Sequence, residues 1–522
     1  MALLVGVTIS CAQEIQPPDG VKTETEKFNP DFFIKSLTEK YSQYIAACSS
    51  SSKHTPTEIK NIYTIIDDLI LLCDTSKNQL GLEQLKYPEN SIKYKALEIE
   101  RNSVAGFFNL AHRIKTAPLD SQFPLDYANA LPENQFKALY LSLQSIPDAC
   151  ATEYYNEPDF IEALQNVRIP FAISINSSQL SDERFSDLTK ITNIRFLCIY
   201  DTVGLTLDEK SCARLAGFKQ LWGIRIEDNN VALLTQLKKL DSLSYIYLLS
   251  PDNHEALKEL NGMNSLRILY IWNTLPEYGI DKLIDLPNLN MLILNGYLGK
   301  GTSNLARFPR LKTLYLYECY GLKPEFLFSR ESVSNSSITS LQIVGCPGIF
   351  KNLGYFNGMP NLQTLFLEYS EDAFFVVVES NNNSLGVEIQ SINNLPSLRS
   401  LDISFAHKMS NDTIRHFASF PLLNSLSLYN CPVQKCSFLE LKCRNLHTLY
   451  LDGTNITSEQ LEQIFNTTSV SALYLRDCEI TDENAIRISR LHPDCAICNQ
   501  EDKVLINGKE IVSPPKYEGG MF

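Results

Sequence analysis

A six-residue frame, L-x-x-L-x-L, returns along nearly two thirds of this 522-residue chain, and no other feature restricts its fold as strongly. It stands in "IRFLCIYDT", "LRILYIWNT", "LKTLYLYEC", "LQTLFLEYS", "LHTLYLDGT" and "VSALYLRDC". The last frame residue falls at 175, 199, 226, 248, 271, 294, 316, 343, 367, 403, 428, 451, 475 and 497. The steps between these positions run from 22 to 27 residues, apart from one of 36. Apolar residues alternating with others over a short window predict a strand with one inward side. A strand this short cannot bury that side alone. Copies at a constant spacing must therefore stack, each covering the next, into a solenoid with one continuous core.

A second column supports the register. Three residues beyond each last frame position stand Ser178, Thr202, Asn229, Pro251, Thr274, Tyr297, Cys319, Cys346, Ser370, Ala406, Cys431, Thr454, Cys478 and Gln500. Frame, period and column together resemble the leucine-rich-repeat family, whose units run to roughly 20–29 residues. The segment C-x-I-T-D-x-x-x-I, from Cys478 to Ile486, is similar to the cysteine-containing subtype that also occurs in many bacterial repeat proteins. The resemblance implies an α/β fold: about 14 parallel strands over residues 166–500 lining a concave face, with short helices or turns on the convex side. It also implies that small polar side chains of the column bond the turning backbone. Cys319, Cys346, Cys431 and Cys478 are then expected as buried, reduced ladder residues. The turns at Pro251, Tyr297 and Ala406, which depart from the column, are expected to be irregular.

The convex side shows helix signals. In "ITSEQLEQIF" and "ITDENAIRIS", Thr457 and Thr481 stand in N-cap position with acidic residues in the first turn. The 36-residue step carries an insertion over residues 368–391, with an apolar run from Phe374 to Val378 before an Asn-rich loop. It reads equally as a binding loop or as a locally packed one.

The ends must cover the solenoid's open edges. Residues 13–165 read as a helical capping domain, with apolar residues three to four apart in "NPDFFIKSLTEKYSQYIAAC", "TPTEIKNIYTIIDDLILLCD" and "SIKYKALEIERNSVAGFFNLAHRI". Residues 501–513 read as a hairpin around Asn507-Gly508, and 514–522 as a tail. Residues 1–12, "MALLVGVTISCA", resemble the end of a secretory signal, with Ser10 and Ala12 suited to cleavage before Gln13. Cys11 alternatively resembles the lipid-modified cysteine of a bacterial lipoprotein, although Thr8 replaces the usual Leu and no basic segment precedes it. The expectation is export to the periplasm, cell surface or medium, the alternative a cytoplasmic protein with an apolar N-terminus. No run of 18 apolar residues is present, so no transmembrane span is expected.

The chain carries few signs of chemistry. The seven His residues lack metal-ligand spacing. "GYLGKGTSN" fails the phosphate-loop pattern, with Leu294 where its first Gly belongs. Cys495 and Cys498 fall on opposite sides of one strand, which argues against a shared ion. No enzyme, cofactor or metal is expected. A net charge of −14 argues against a nucleic-acid partner, which needs a basic face.

The register does identify a candidate binding face. The outward strand positions place Tyr245, Tyr247, Tyr270, Trp272, Tyr315 and Tyr317 in one aromatic patch across four repeats, with Ile293 inside it. Phe366 and Tyr369 extend the patch, and Glu227, Asp228, Glu318 and Glu368 rim it. Single aromatic residues simply suit strands, where cross-strand pairs stabilise by about 0.2–1 kcal/mol. A run of them on a concave surface points instead to an interaction site. The expectation is a non-enzymatic protein that binds a protein or peptide ligand carrying basic groups. The alternatives are a glycan-binding surface protein, since planar rings also stack on sugars, and an intracellular adaptor whose N-terminal helices recruit an effector.

Overall fold

The computed structural model describes residues 27–49, 56–89, 91–116, 160–176, 185–200, 209–227, 231–249, 254–272, 279–296, 305–369, 388–406, 408–500 and 503–512. Residues 1–12 with Cys11, Asp228, most of the long insertion and the C-terminal tail lie outside them.

The frame residues build one sheet. Its strands are β1 (Phe171–Asn176), β2 (Ile194–Tyr200), β3 (Gly223–Ile226), β4 (Tyr245–Leu249), β5 (Ile268–Trp272), β6 (Met291–Asn295), β7 (Thr313–Tyr317) and β8 (Ser340–Val344). They continue as β9 (Thr364–Glu368), β10 (Ser400–Ser404), β11 (Ser425–Ser427), β12 (Thr448–Tyr450), β13 (Ala472–Tyr474), β14 (Ala496–Cys498), β15 (Val504–Ile506) and β16 (Lys509–Val512). All 16 pair in chain order. β1 to β14 are parallel, and β14, β15 and β16 pair antiparallel. Register follows the frame: Ile246, Leu269, Leu292, Leu314 and Leu341 are successive partners, and all are fully buried.

Seven of the strands end in the same backbone device. The residue two beyond the last frame position takes a left-handed conformation at Gly296, Glu318, Gly345, Phe405, Asn430, Gly453 and Asp477. This turns the chain out of the sheet, and the next residue points back inside. There the Cys346 thiol donates to the carbonyls of Leu316 (3.5 Å) and Val344 (3.2 Å). Cys319, Cys431 and Cys478 likewise donate to Leu294, Ile403 and Leu451 of the preceding repeat. Thr454 bonds the Leu451 carbonyl with its hydroxyl. Carbonyls that the bend takes out of the ladder thus gain partners. The four cysteines are buried thiols. Ala406 corrects one expectation. It makes no such side-chain bond, yet Phe405 before it keeps the left-handed turn (φ 58°), so the backbone there is regular. The bend is held by packing of the buried Ala406 and by the Phe405 N–H, which donates to the Tyr429 carbonyl (3.0 Å). Pro251 and Tyr297 lie outside the described residues.

Convex segments are short helices, among them Asn411–His416, Ser458–Thr467 and Asp482–Leu491, and single 3₁₀ turns such as Leu305–Arg307. Thr457 and Gln460 form a reciprocal capping box at the second helix, and Thr481 caps the third.

Three N-terminal helices, α1 (Pro30–Ser49), α2 (Pro56–Gln84) and α3 (Ile92–Thr116), pack together, and α3 lies against β1 and the short helix α4 (Phe160–Gln165). Arg168, just before β1, fastens the junction. Its backbone N–H and guanidinium bond the Glu100 carboxylate of α3 at 2.5–2.9 Å, and Glu83 of α2 lies 3.7 Å away. α2 also reaches the other end of the sheet. It meets β16, and its Tyr63 belongs to a small buried cluster with Tyr450, Ala472, Tyr474, Ala496, Cys498 and Val504 of β12 to β15.

Candidate functional site on the concave face

Strand pairing fixes which outward residues are neighbours. One column reads Arg225, Tyr247, Tyr270, Ile293, Tyr315, Gln342, Phe366, Asp402, Ser427, Tyr450, Tyr474 and Cys498. The next reads Leu249, Trp272, Asn295, Tyr317, Val344, Glu368 and Ser404.

Burial corrects the picture of one open aromatic patch. Tyr245, Tyr247 and Tyr315 are only 2%, 8% and 1% exposed, and Ile293 is buried with them. Parallel strands stand roughly 4.8 Å apart, and side chains on a concave surface converge, so rings within a column shield one another. The aromatics also divide into groups. Tyr245 pairs with Phe196 at 5.7 Å, across β3, where Gly223 leaves room for both rings. Tyr315 and Tyr317 form an edge-on pair at 6.0 Å. Tyr369 sits on the exit turn of β9 and contacts Phe350 (6.2 Å), away from Phe366, which is half-buried in its column.

Trp272 reaches solvent, in a group with the half-buried Tyr270 and the buried Tyr247. Tyr247 meets Tyr270 edge-on at 4.5 Å, and Tyr270 and Trp272 lie parallel within 8°, centroids 6.3 Å apart. Trp272 is 43% exposed. Asn295 on β6 hydrogen-bonds the half-buried Tyr270 hydroxyl, while burial pushes that phenol's pKa up. Burial and the neighbouring Tyr270 raise the pKa of Tyr247 further.

The acids play unequal parts. Glu227 is already occupied, because Arg225 pairs with it at 2.6 Å and lays its guanidinium 5.0 Å from the Tyr247 ring centre. Glu318, Glu368 and Asp402 have no cationic partner among the described residues, and Asp228 lies outside them. Burial and then Asp402 raise the Glu368 pKa. Burial takes Asp402 from 3.8 to about 6, although the hydroxyls of Ser404 (2.9 Å) and Ser427 donate to its carboxylate.

Arg225, Asp402, Asp452, Tyr450 and Tyr474 were not among the predicted site residues. Their signal was nonetheless present, since all of them stand at outward strand positions. Among the described residues no group of His, Cys, Asp and Glu can hold a metal ion, and no helix is long and apolar enough to cross a membrane.

No protein-family model and no curated protein matches the sequence. The solved structures similar to it include the following three. The TLR13–ssRNA13 complex matches at 16% identity with a TM-score of 0.39, over 56% of this chain and 41% of TLR13. The chain thus spans less than half of TLR13. A Leptospira interrogans LRR protein matches at 19% identity with a TM-score of 0.31, over 65% of this chain and 92% of that one. The yeast Rad7–Elc1 complex matches at 16% identity with a TM-score of 0.33, over 74% and 96%.

Proposed function

We propose that this chain, a leucine-rich-repeat solenoid by its fold, binds a protein or peptide ligand on its concave face, with Trp272 and Tyr270 as the anchor. The observation that carries the reading is the exposure of Trp272, stacked on Tyr270, on strands that bury Tyr245, Tyr247 and Tyr315 almost completely. Tyr and Trp are the residues that most often dominate protein interfaces, because one ring brings a large apolar area at small entropic cost. Glu318, Glu368 and Asp402 supply negative charge that this chain leaves unpaired among its described residues. A ligand side chain of Lys or Arg completes it. The same carboxylates repel phosphates, so nucleic acid is not part of the proposal.

The test is selection of a displayed random-peptide library on the immobilised full chain, followed by affinity measurement of the winners. Peptides rich in Lys and Arg should be enriched, and Tyr270→Ala/Trp272→Ala should bind them at least tenfold more weakly with an unchanged circular dichroism spectrum. Equal affinity for wild type and the double variant overturns the reading.

A further inference from the structure

The solenoid has a second continuous surface, the rim where the chain enters each strand. Arg267, Asn290, Lys312, Thr339, Gln363 and Arg399 stand immediately before β5 to β10. Their backbones join them into a row. Asn290 donates its N–H to the Arg267 carbonyl, and Lys312, Thr339, Gln363 and Arg399 each donate to the preceding member, all at 2.8 Å. A parallel row lies two residues earlier. In it the side-chain amides of Asn288 and Asn361 donate to the Asn264 and Ser336 carbonyls of the preceding repeat, at 2.9 Å each. Arg310 holds the corresponding place in the repeat after Asn288.

From β5 to β10 these rows carry four cations, Arg267, Arg310, Lys312 and Arg399, and no carboxylate. That reverses the sign of the whole chain, whose formal net charge is −14. It also reverses the opposite rim, where Glu318 follows β7 and Glu368 ends β9. Arg310, Lys312 and Arg399 are exposed, and Arg267 is half-buried. None of the four has an acidic partner among the described residues. Arg267 donates one N–H to the Asn264 carbonyl (2.8 Å), and burial and then the like charge of Arg310 lower its pKa. Like charges gathered on one rim with nothing to offset them raise the gain from an external anion.

We propose that the entry rim from β5 to β10 binds an acidic segment of another protein, with its carboxylates on the guanidinium and ammonium groups of Arg267, Arg310, Lys312 and Arg399. Three of these cations are Arg, whose planar fork takes a carboxylate through two parallel hydrogen bonds. Five strand steps of about 4.8 Å span about 24 Å, which seven or eight extended residues cover at about 3.3 Å each. Alternate residues of such a segment face the same side, so Asp or Glu at every second position presents about four carboxylates to the four cations. A nucleic acid strand would bring a phosphate about every 3.4 Å. That is more charge than the rim meets, and Glu318, Glu368 and Asp402 on the same sheet repel the excess.

The probe is a fluorescein-labelled peptide of four Glu-Ser repeats, with its affinity for the full chain read by fluorescence anisotropy at low salt. Arg310→Glu/Lys312→Glu, both at exposed positions, should bind it at least tenfold more weakly with an unchanged circular dichroism spectrum. Arg399→Glu, three strands further along, should weaken it as well. Lys323→Glu/Lys351→Glu makes the same change in net charge at exposed positions away from the rim and should lose less than threefold. No binding by wild type, or equal losses in the two double variants, overturns the proposal, the second by showing that net charge alone attracts the peptide. Tighter binding of labelled octathymidylate, lost in the rim variant, overturns it in favour of a phosphate-bearing partner. Tyr270→Ala/Trp272→Ala should bind the peptide as wild type does, so failure at the rim leaves the reading at Trp272 intact.

Discussion

Asp402 allows a prediction in which the sign matters as much as the size. Its carboxyl sits in the middle of the concave face with Glu368 on β9 and Asp452 after β12 as charged neighbours, and Arg476 is committed to Asp452. Two serine hydroxyls donate to it, but burial outweighs them and moves the pKa from 3.8 to about 6. Between those values the folded chain retains a proton that the unfolded chain has released. The favourable contribution is therefore complete below 3.8 and is lost as pH rises through about 6. A shift of roughly two units at about 1.4 kcal/mol each sets a ceiling near 3 kcal/mol. Asp402→Asn keeps an oxygen for Ser404 and removes the charge. It should be more stable than wild type by about 1–3 kcal/mol at pH 7.5 and nearly equal to it at pH 4. Urea unfolding followed by far-UV circular dichroism at both pH values checks this, with the variant-to-wild-type difference cancelling groups common to both chains. A variant less stable at pH 7.5, or a difference independent of pH, would refute the argument that the carboxylate is held there at a cost.

Two further substitutions test the register. Leu269 is fully buried between Ile246 and Leu292, so Leu269→Ala should lower stability by about 2–5 kcal/mol in the same unfolding assay. A loss below about 1 kcal/mol would show that the frame residue does not face the core. A Cβ added at Gly223 would lie 2.5 Å from the Phe196 ring and 3.3 Å from that of Tyr245, so Gly223→Ala should cost about 1–3 kcal/mol. Adding Phe196→Ala should make the two losses less than additive, and simple additivity would mean the rings do not share that space.

The period was sufficient to place the sheet. Inward Leu and Ile residues repeat at a spacing only stacked strands can use, and the register they imply is the one found, down to Tyr247 opposite Tyr270 and Leu249 opposite Trp272. The thiol ladder was legible for the same reason, since Cys346 and Cys431 recur where a bent backbone needs a small donor. Exposure was not legible. Whether an outward ring meets water depends on its neighbours in the adjacent strands, which is why Tyr315 is buried and Trp272 is not. Nor could the pairing of Arg225 with Glu227 be weighed in advance, because residues two apart on a strand share a side but need the right rotamers to meet. The cluster that holds Tyr63 together with Tyr450 and Tyr474 joins residues roughly four hundred positions apart, and nothing periodic in the sequence relates them.

The concave face can also be judged by what it fails to optimise. Most mutations destabilise, and stabilising replacements at ordinary surface positions are easy to find, so costly groups tend to mark places where stability is not what is being served. Asp402 and Glu368 are held protonated above their ordinary range by burial, on neighbouring strands and with no cation among the described residues. Trp272 leaves 43% of its surface in water while its column neighbour Asn295 is spent on the Tyr270 hydroxyl. Further along the sheet the equivalent features are settled within the chain: Asp452 has Arg476, and Tyr450 and Tyr474 are buried in one cluster with Tyr63. Charge is thus settled at both flanks, by Arg225 on Glu227 and by Arg476 on Asp452, and left unmet between them at Glu368 and Asp402. The stretch between them, from Trp272 to Asp402, is where an external cation and an external apolar group would each gain most, because the chain has already met the cost of holding the partners in place.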